Sequence, residues 1–259
     1  MNVADPSRRC AIAVMAKAPR PGAVKTRLVP PLSFEHAAQL SGAFLRDITE
    51  NIQRAADQEP IAGYVAYAPA GVEAMFEGTL APGSRLLLAD GAAVAEPHIQ
   101  GFGRCLFQTI RDLLGLGYQS AVVLNSDSPT LPTALLCETA RALSRPEADM
   151  VLGPAEDGGY YLLGVRAPHA HLFRQIDWST DQVAAQTRAR ASDLGLESVL
   201  LDPWYDVDDR HGLNRLIQDI GERRTEERHR PYAAPLTAAC LSRLGLLAEA
   251  PGNRVECIP

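Results

Sequence analysis

Seven consecutive apolar residues, Cys10–Ala16, run straight into a segment that suits neither helix nor strand. That segment, Lys17–Leu28, reads K-A-P-R-P-G-A-V-K-T-R-L. Its prolines remove backbone donors and its glycine tolerates left-handed backbone. An unbroken apolar run suits a parallel strand covered on both faces, because each face then needs apolar side chains. A loop at the carboxyl end of such a strand is where open α/β sheets bind phosphorylated ligands. This loop carries four cations (Lys17, Arg20, Lys25 and Arg27) and no acid, in a chain of formal net charge −6. The competing reading is a solvated charged turn. Gly22–Thr26 ends in Lys-Thr as a P-loop does, but Pro19 and Val24 stand where that motif needs glycine. A phosphate grip here, including Thr26, therefore works mainly through side-chain charge.

The alternation that opens the chain continues along it. Ser33 is placed to cap a helix running to about Ala56, with Phe34, Ala37, Phe44, Ile48 and Ile52 at helical spacing. Strands are expected at Ile61–Tyr67, Arg85–Ala89, Ala121–Leu124 and Ser198–Leu201. Another is expected at Met150–Leu152, breaking at Gly153-Pro154 and resuming at Tyr160–Val165. A short helix is expected around Val72–Phe76, and Gly101–Gly103 opens another that Gly115 and Gly117 end. Further helices are expected at Thr133–Ser144, from a cap at Ser179 or Thr180 to about Leu194, and at His211–Glu222. The pattern predicts an α/β fold: a three-layer, Rossmann-like, mostly parallel sheet with helices on both faces. Residues 1–224 make the main domain and 225–259 a helical extension and tail. Glu222–Arg230 reads as a solvated linker, Leu236–Leu247 as an amphipathic piece docking at the edge, and the chain from Ala250 as loose.

At 259 residues the chain suits one such domain with a small appendage. No run approaches the roughly 18 apolar residues of a membrane span, and Met1–Arg9 lacks the apolar core of a signal peptide. The five cysteines are scattered and form no C-x-x-C pair, which predicts reduced thiols in a cytoplasmic protein. Overall acidity argues against nucleic acid as a partner. The local positive charge at 17–27 instead suits a small anionic ligand.

Three polar clusters, 17–27, 125–132 and 155–159, each follow a strand or interrupt one, which predicts a single site at the carboxyl ends of the sheet. Asp127, flanked by Asn125, Ser126 and Ser128, can bind Mg²⁺ (or Mn²⁺) together with water and phosphate, or can simply cap the turn before Pro129. In Gly153–Gly164, G-P-A-E-D-G-G-Y-Y-L-L-G, glycines permit close approach of a ligand, and Glu156 or Asp157 can orient an acceptor, bind metal or act as a base. The Asp157-Gly158-Gly159 sequence is equally a hairpin turn. Tyr205–Asp209 places three carboxylates in four positions; Asp206 and Asp208 share a face if the backbone is extended, while Asp209 suits a helix start. Gln100-Gly101-Phe102-Gly103 can read a base or sugar edge or simply open a helix, and Trp178, Ser179 and Thr180 can line an acceptor pocket or serve as a cap. His169 and His171 read as surface residues.

Taken together, M-A-K-A-P-R-P-G-A-V-K-T-R-L (15–28), S-D-S-P-T-L-P (126–132), the glycine-rich 153–164 stretch, I-D-W-S-T (176–180) and W-Y-D-V-D (204–208) resemble a bacterial family of uncharacterised transferases with a glycosyltransferase-A-type fold. The matching pieces are collinear to about residue 218. The first also resembles a segment of the phospholactate guanylyltransferases. The resemblance implies a nucleotide-diphospho-sugar-transferase fold in which Lys17, Arg20, Lys25 and Arg27 hold nucleotide phosphates. Asp127 then stands at the metal-binding position, and Asp206 or Asp208 near a second acidic one. Two segments depart from the family pattern: Gln100–Arg104 is shortened, and Asp208–Leu213 is altered. The expected activity is metal-dependent glycosyl transfer from a nucleoside diphosphate sugar to a small acceptor. In that scheme Asp127, Asp157 and Lys25 are catalytic, and Glu156–Gly159 and Trp178–Thr180 bind the acceptor. The alternatives are nucleotidyl transfer from an NTP to a small phosphorylated metabolite, favoured by the cation density at 17–27, and a non-catalytic nucleotide-binding homologue. Nucleic acid and membrane are not expected partners, and the sequence leaves the oligomeric state open.

Overall fold

The computed structural model describes residues 10–222 and 229–247. The polar start Met1–Arg9, residues 223–228 of the expected linker, and the tail from Ala250 with Cys257 lie outside the described residues. One sheet is built from β1 (Cys10–Lys17), β2 (Ile61–Ala68), β3 (Arg85–Leu88), β4 (Ser120–Leu124), β5 (Met150–Pro154), β6 (Tyr160–Val165) and β7 (Ser198–Leu200). Its order is β3-β2-β1-β4-β6-β5-β7. Every neighbouring pair is parallel except those of β6, which runs antiparallel to β4 and to β5.

The apolar run of β1 divides between two cores. Ile12, Val14 and Ala16 pack on one face beneath α1 (Phe34–Ala56), α3 (Thr133–Leu143), α5 (Arg210–Glu222) and α6 (Pro235–Arg243). Ala11 and Ala13 pack on the other beneath α2 (Phe102–Gly115) and α4 (Val183–Asp193). Both faces are dry, so alternation in polarity is absent from the strand. Each large aliphatic side chain buried this way stabilises the fold by about 1.5–3 kcal/mol relative to exposure. Ser33 caps α1 by accepting the His36 backbone N–H at 3.1 Å, and Phe44, Ile48 and Ile52 are buried, as their spacing predicts. Asp209 caps α5 by accepting the Gly212 N–H at 2.9 Å.

Three expectations need correction or refinement. Tyr160–Val165 does not resume the preceding strand. The chain reverses at 155–159, where the Ala155 N–H donates to the Gly159 carbonyl at 3.0 Å, and the two strands pair as a hairpin. The Asp-Gly turn signal was the decisive one there. Neither Ser179 nor Thr180 caps α4, which begins at Val183 with Gln182 before it. The Thr180 hydroxyl donates backwards to the Asp177 carbonyl at 2.7 Å, and Ser179 adopts a left-handed backbone at φ 66°. Finally, α6 packs on α1. Buried Asp47 on α1 accepts the Leu236 and Thr237 backbone N–H groups at 3.1 and 2.6 Å, satisfying the exposed donors of the α6 start.

β1 and β4 are sheet neighbours, yet the chain leaves β1 towards β2 on the opposite side. The loops following β1 and β4 therefore diverge and open a crevice at a topological switch point.

Candidate active site

Lys25, from the loop after β1, meets Asp127, from the loop after β4, in that crevice. The Lys25 ammonium donates to the Val207 carbonyl at 2.7 Å, to Asp208 Oδ1 at 3.2 Å, and to Asp127 Oδ1. Its side chain is only 6% exposed, so all three of its donors are spent on these oxygens. Burial by itself pushes the ammonium pKa down; Asp127 and Asp208 outweigh that and hold it above its ordinary value. Lys25 sits at φ 48°, just before a short 3₁₀ turn, Thr26–Leu28, and its ammonium lies 5.3 Å from the Phe44 ring centroid.

The acidic segment 204–208 is locked to the β4 loop. The Val207 N–H donates to the Asp127 carbonyl at 2.9 Å, and Ser128 Oγ donates to the Tyr205 carbonyl at 2.9 Å. The Thr130 hydroxyl bonds the Tyr205 hydroxyl at 3.1 Å. Asn51 of α1 steadies the same loop, donating to the Leu131 carbonyl at 2.7 Å and accepting from the Thr133 hydroxyl at 2.6 Å. The Glu156 N–H donates to the Trp204 carbonyl at 3.2 Å, and together these bonds bring Asp127, Asp157 and Asp208 into electrostatic range of Asp206. The Asp206 carboxyl is pushed up to about 7, first by burial and then by the charges of Asp157, Asp208 and Asp127.

A cleft of about 660 Å³ runs over this junction. Lys17, Lys25, Thr26, Arg27, Asp127, Asp157, Gly159, Trp178, Ser179, Thr180 and Asp208 line it, drawing together residues from all three polar clusters. Arg20, Gln100, Gly101, Glu156, Gly158 and Asp206 are not among its lining residues. Glu156 instead pairs with Arg215, whose guanidinium stacks 4.0 Å from the Tyr205 ring centroid. Gly158 acts one layer back: at φ 90°, any Cβ there would stand 2.2 Å from the Asp181 carbonyl oxygen. The 155–159 turn and the 179–183 segment are thereby pressed into one wall, joined where the Ala184 N–H donates to the Gly158 carbonyl at 3.0 Å. Sequence reasoning missed several lining residues, among them Ser41, Cys105 and Asp181, while Phe102 and Tyr160 fall inside stretches it singled out. Only the proximity of Asp181 to the W-S-T run hinted at its place.

The oxygens around Lys25 are hard donors in a site already built to hold positive charge, and beyond the effect of burial the charges of Asp157, Asp208 and Asp127 still push the Asp206 carboxyl up. This fits Mg²⁺ or Mn²⁺ chemistry. Among the described residues no three acidic, imidazole or thiol groups form a ready cage. Asp127 and Asp208 would share such an ion with phosphate and water, the usual arrangement for Mg²⁺ with nucleotides.

Residues 51–180 match the family model described as "Uncharacterized protein conserved in bacteria (DUF2064)". The chain belongs to this family. Among solved structures, one match is a proposed nucleotide-diphospho-sugar transferase from Desulfovibrio desulfuricans G20. It is 26% identical, with 91% of this chain and 98% of that chain covered at a TM-score of 0.74. The CMP:2-keto-3-deoxy-manno-octonic acid synthetase complexed with CTP is 11% identical, with 80% and 96% covered and a TM-score of 0.51. The 4-diphosphocytidyl-2C-methyl-D-erythritol synthase from Anaerococcus prevotii DSM 20548 is 9% identical, with 82% and 99% covered and a TM-score of 0.50. The last two matches are likenesses of fold. No curated protein sequence matches this chain. The family member thus carries a nucleotidyl- or sugar-transferase-like fold, and transferase is the class to which it is similar. Among its described residues no helix is long and apolar enough to cross a membrane.

Proposed function

We propose that this protein is a glycosyltransferase that moves a sugar from a nucleoside diphosphate sugar to a hydroxyl of a small acceptor. The observation carrying this reading is the engagement of Lys25 by Asp127, Asp208 and Val207. It removes one cation from the phosphate side of the cleft, and Arg20 lies outside the lining, leaving Lys17 and Arg27. Two lining cations without an ion pair among the described residues suit a diphosphate better than the triphosphate that nucleotidyl transfer requires.

In this reading Lys17 and Arg27 bind the diphosphate, with Thr26 beside them. Asp157 faces the acceptor, its Oδ1 fixed by the Gly159 N–H at 2.8 Å and its second oxygen left to accept a hydroxyl proton. The acceptor oxygen bonds to the anomeric carbon as the bond from that carbon to the diphosphate oxygen breaks. The electron pair leaves on the diphosphate, and the hydroxyl proton passes to Asp157. A divalent cation held by Asp127 and Asp208, with Asp206 behind them, would neutralise charge on the leaving diphosphate when bound. Lys25 keeps the two loops together and supplies fixed positive charge to the same region. Residues 1–224 form the transferase-like domain in this proposal, with 225–259 an extension. Four unpaired cysteines among the described residues suit a reducing, cytoplasmic setting.

The test is a thermal-shift series of nucleoside diphosphate sugars against NTPs, each with Mg²⁺, since a ligand that binds the folded state raises its melting temperature. Sugar nucleotides are expected to give the larger shift. A larger shift with an NTP, together with pyrophosphate release, would replace this reading with nucleotidyl transfer. No shift with either class would leave a non-catalytic homologue.

A further inference from the structure

The two sides of the cleft differ in character. Its cationic residues Lys17, Lys25 and Arg27 come from β1 and the loop after it. The lining drawn from the 155–160 and 178–181 segments forms a second wall, Asp157, Tyr160, Trp178, Ser179, Thr180 and Asp181, and none of these is a cation. That wall is rigid: Gly158 is pressed on Asp181, and the Trp178 ring covers Gly103 so closely that a Cβ there would lie 2.8 Å from it. Trp178 meets the half-exposed Phe102 edge-to-face, with centroids 6.0 Å apart, so an aromatic corner stands beside the carboxylates. Tyr160 belongs to the same wall, and its buried hydroxyl has no hydrogen-bond partner among the described residues. Ser179 holds a left-handed backbone that a serine seldom adopts, the kind of strain that collects at binding sites.

We propose that the acceptor is a hydroxylated ring compound bearing no anionic group, stacked on Trp178 and hydrogen-bonded through its hydroxyls to Asp157 and Asp181. This rests on the glycosyl-transfer reading of the site. A ring with an apolar face matches the aromatic corner, and hydroxyl or ammonium donors match acceptor-only carboxylates. A phosphate or carboxylate on the acceptor would face Asp157 and Asp181 with no cation on that wall, and juxtaposed like charges are how binding sites reject wrong partners. The wall therefore discriminates against the phosphorylated metabolites that nucleotidyl transfer would join.

The test is saturation-transfer NMR on the full chain with Mg²⁺, using methyl glucoside, glucosamine and glucose 6-phosphate as probes. Methyl glucoside or glucosamine should give at least about five times the signal of glucose 6-phosphate. Trp178→Ala should abolish the preferred signal, and the double variant Asp157→Asn/Asp181→Asn should narrow the discrimination to under about two-fold. Glucose 6-phosphate giving the strongest signal, or no probe exceeding the Trp178→Ala background, overturns the proposal. The thermal-shift series separates the two claims. A chain that binds sugar nucleotides yet prefers glucose 6-phosphate keeps its reaction and loses this acceptor class. One that binds NTPs yet prefers methyl glucoside does the reverse.

Discussion

The Lys25 ammonium donates to the Val207 carbonyl oxygen at 2.7 Å across 182 residues of sequence. The bond joins the loop after β1 to the acidic segment that follows β7, with Asp127 between them. Lys25→Met should therefore act first on stability. It leaves the Val207 carbonyl without its donor and two carboxylates without their counter-ion. Asp127 and Asp208 are 30% and 43% exposed, so water offsets part of the loss, and the expected cost is about 1–3 kcal/mol, below that of a fully buried pair. Urea denaturation at pH 7 measures it, and unchanged stability would remove Lys25 from its role as the clasp of the two loops.

Asp206 carries a pH signature. Its folded-state pKa of about 7 lies above its ordinary value of 3.8, so the folded form holds a proton that the unfolded chain releases. Its contribution to stability is fully present below about pH 4 and is lost as the pH rises through about 7. Asp206→Asn should accordingly be more stable than the parent chain at pH 8, by a margin that shrinks towards pH 5. Urea midpoints at both pH values check this. Equal margins would show that neither burial nor the charges of Asp157, Asp208 and Asp127 hold the Asp206 carboxyl above its ordinary value.

Asp47→Ala tests the docking of α6. It removes the acceptor of both the Leu236 and Thr237 N–H groups in a fully buried position. A loss of about 1–3 kcal/mol is expected, with Asp47→Asn intermediate because one carbonyl oxygen remains. The denaturant midpoint should fall with its slope unchanged.

Gly158→Ala tests the wall. The new Cβ would meet the Asp181 backbone at 2.2 Å, and the positive φ adds strain. The 155–159 turn must shift away from 179–183, taking Asp157 with it. Acceptor turnover should fall by roughly a hundred-fold, the scale for a displacement of about 1 Å, while nucleotide binding changes little. A matched fall in both would place the turn on the nucleotide side.

Divalent ions supply a further check. Mg²⁺ or Mn²⁺ should raise the melting temperature of the parent chain, and the rise should be lost in Asp127→Asn. A rise that survives the substitution would take Asp127 out of the ion's coordination.

Local physics was legible before any coordinates. The β1 run, the Ser33 cap of α1 and the Asp209 cap of α5 depend on neighbours within a few residues, so spacing and residue type were enough. The convergence of the three polar clusters also followed from strand–helix alternation, because such sheets gather loops at one end. The direction of β6 and the start of α4 were misjudged where a turn signal and two capping hydroxyls each had more than one local use.

What the sequence determined by itself was the architecture, the cationic loop and the candidate carboxylates. What only the tertiary structure decided was which charges are free. Lys25 and Lys17 are indistinguishable as residue types in one loop, yet one is buried among three oxygens and the other lies exposed on the cleft. Glu156 and Asp157 are adjacent, yet Arg215 takes the first and the cleft takes the second. The reason is that a charge's partner is set by distance in space, and segments separated by much of the chain meet only once the sheet order is established.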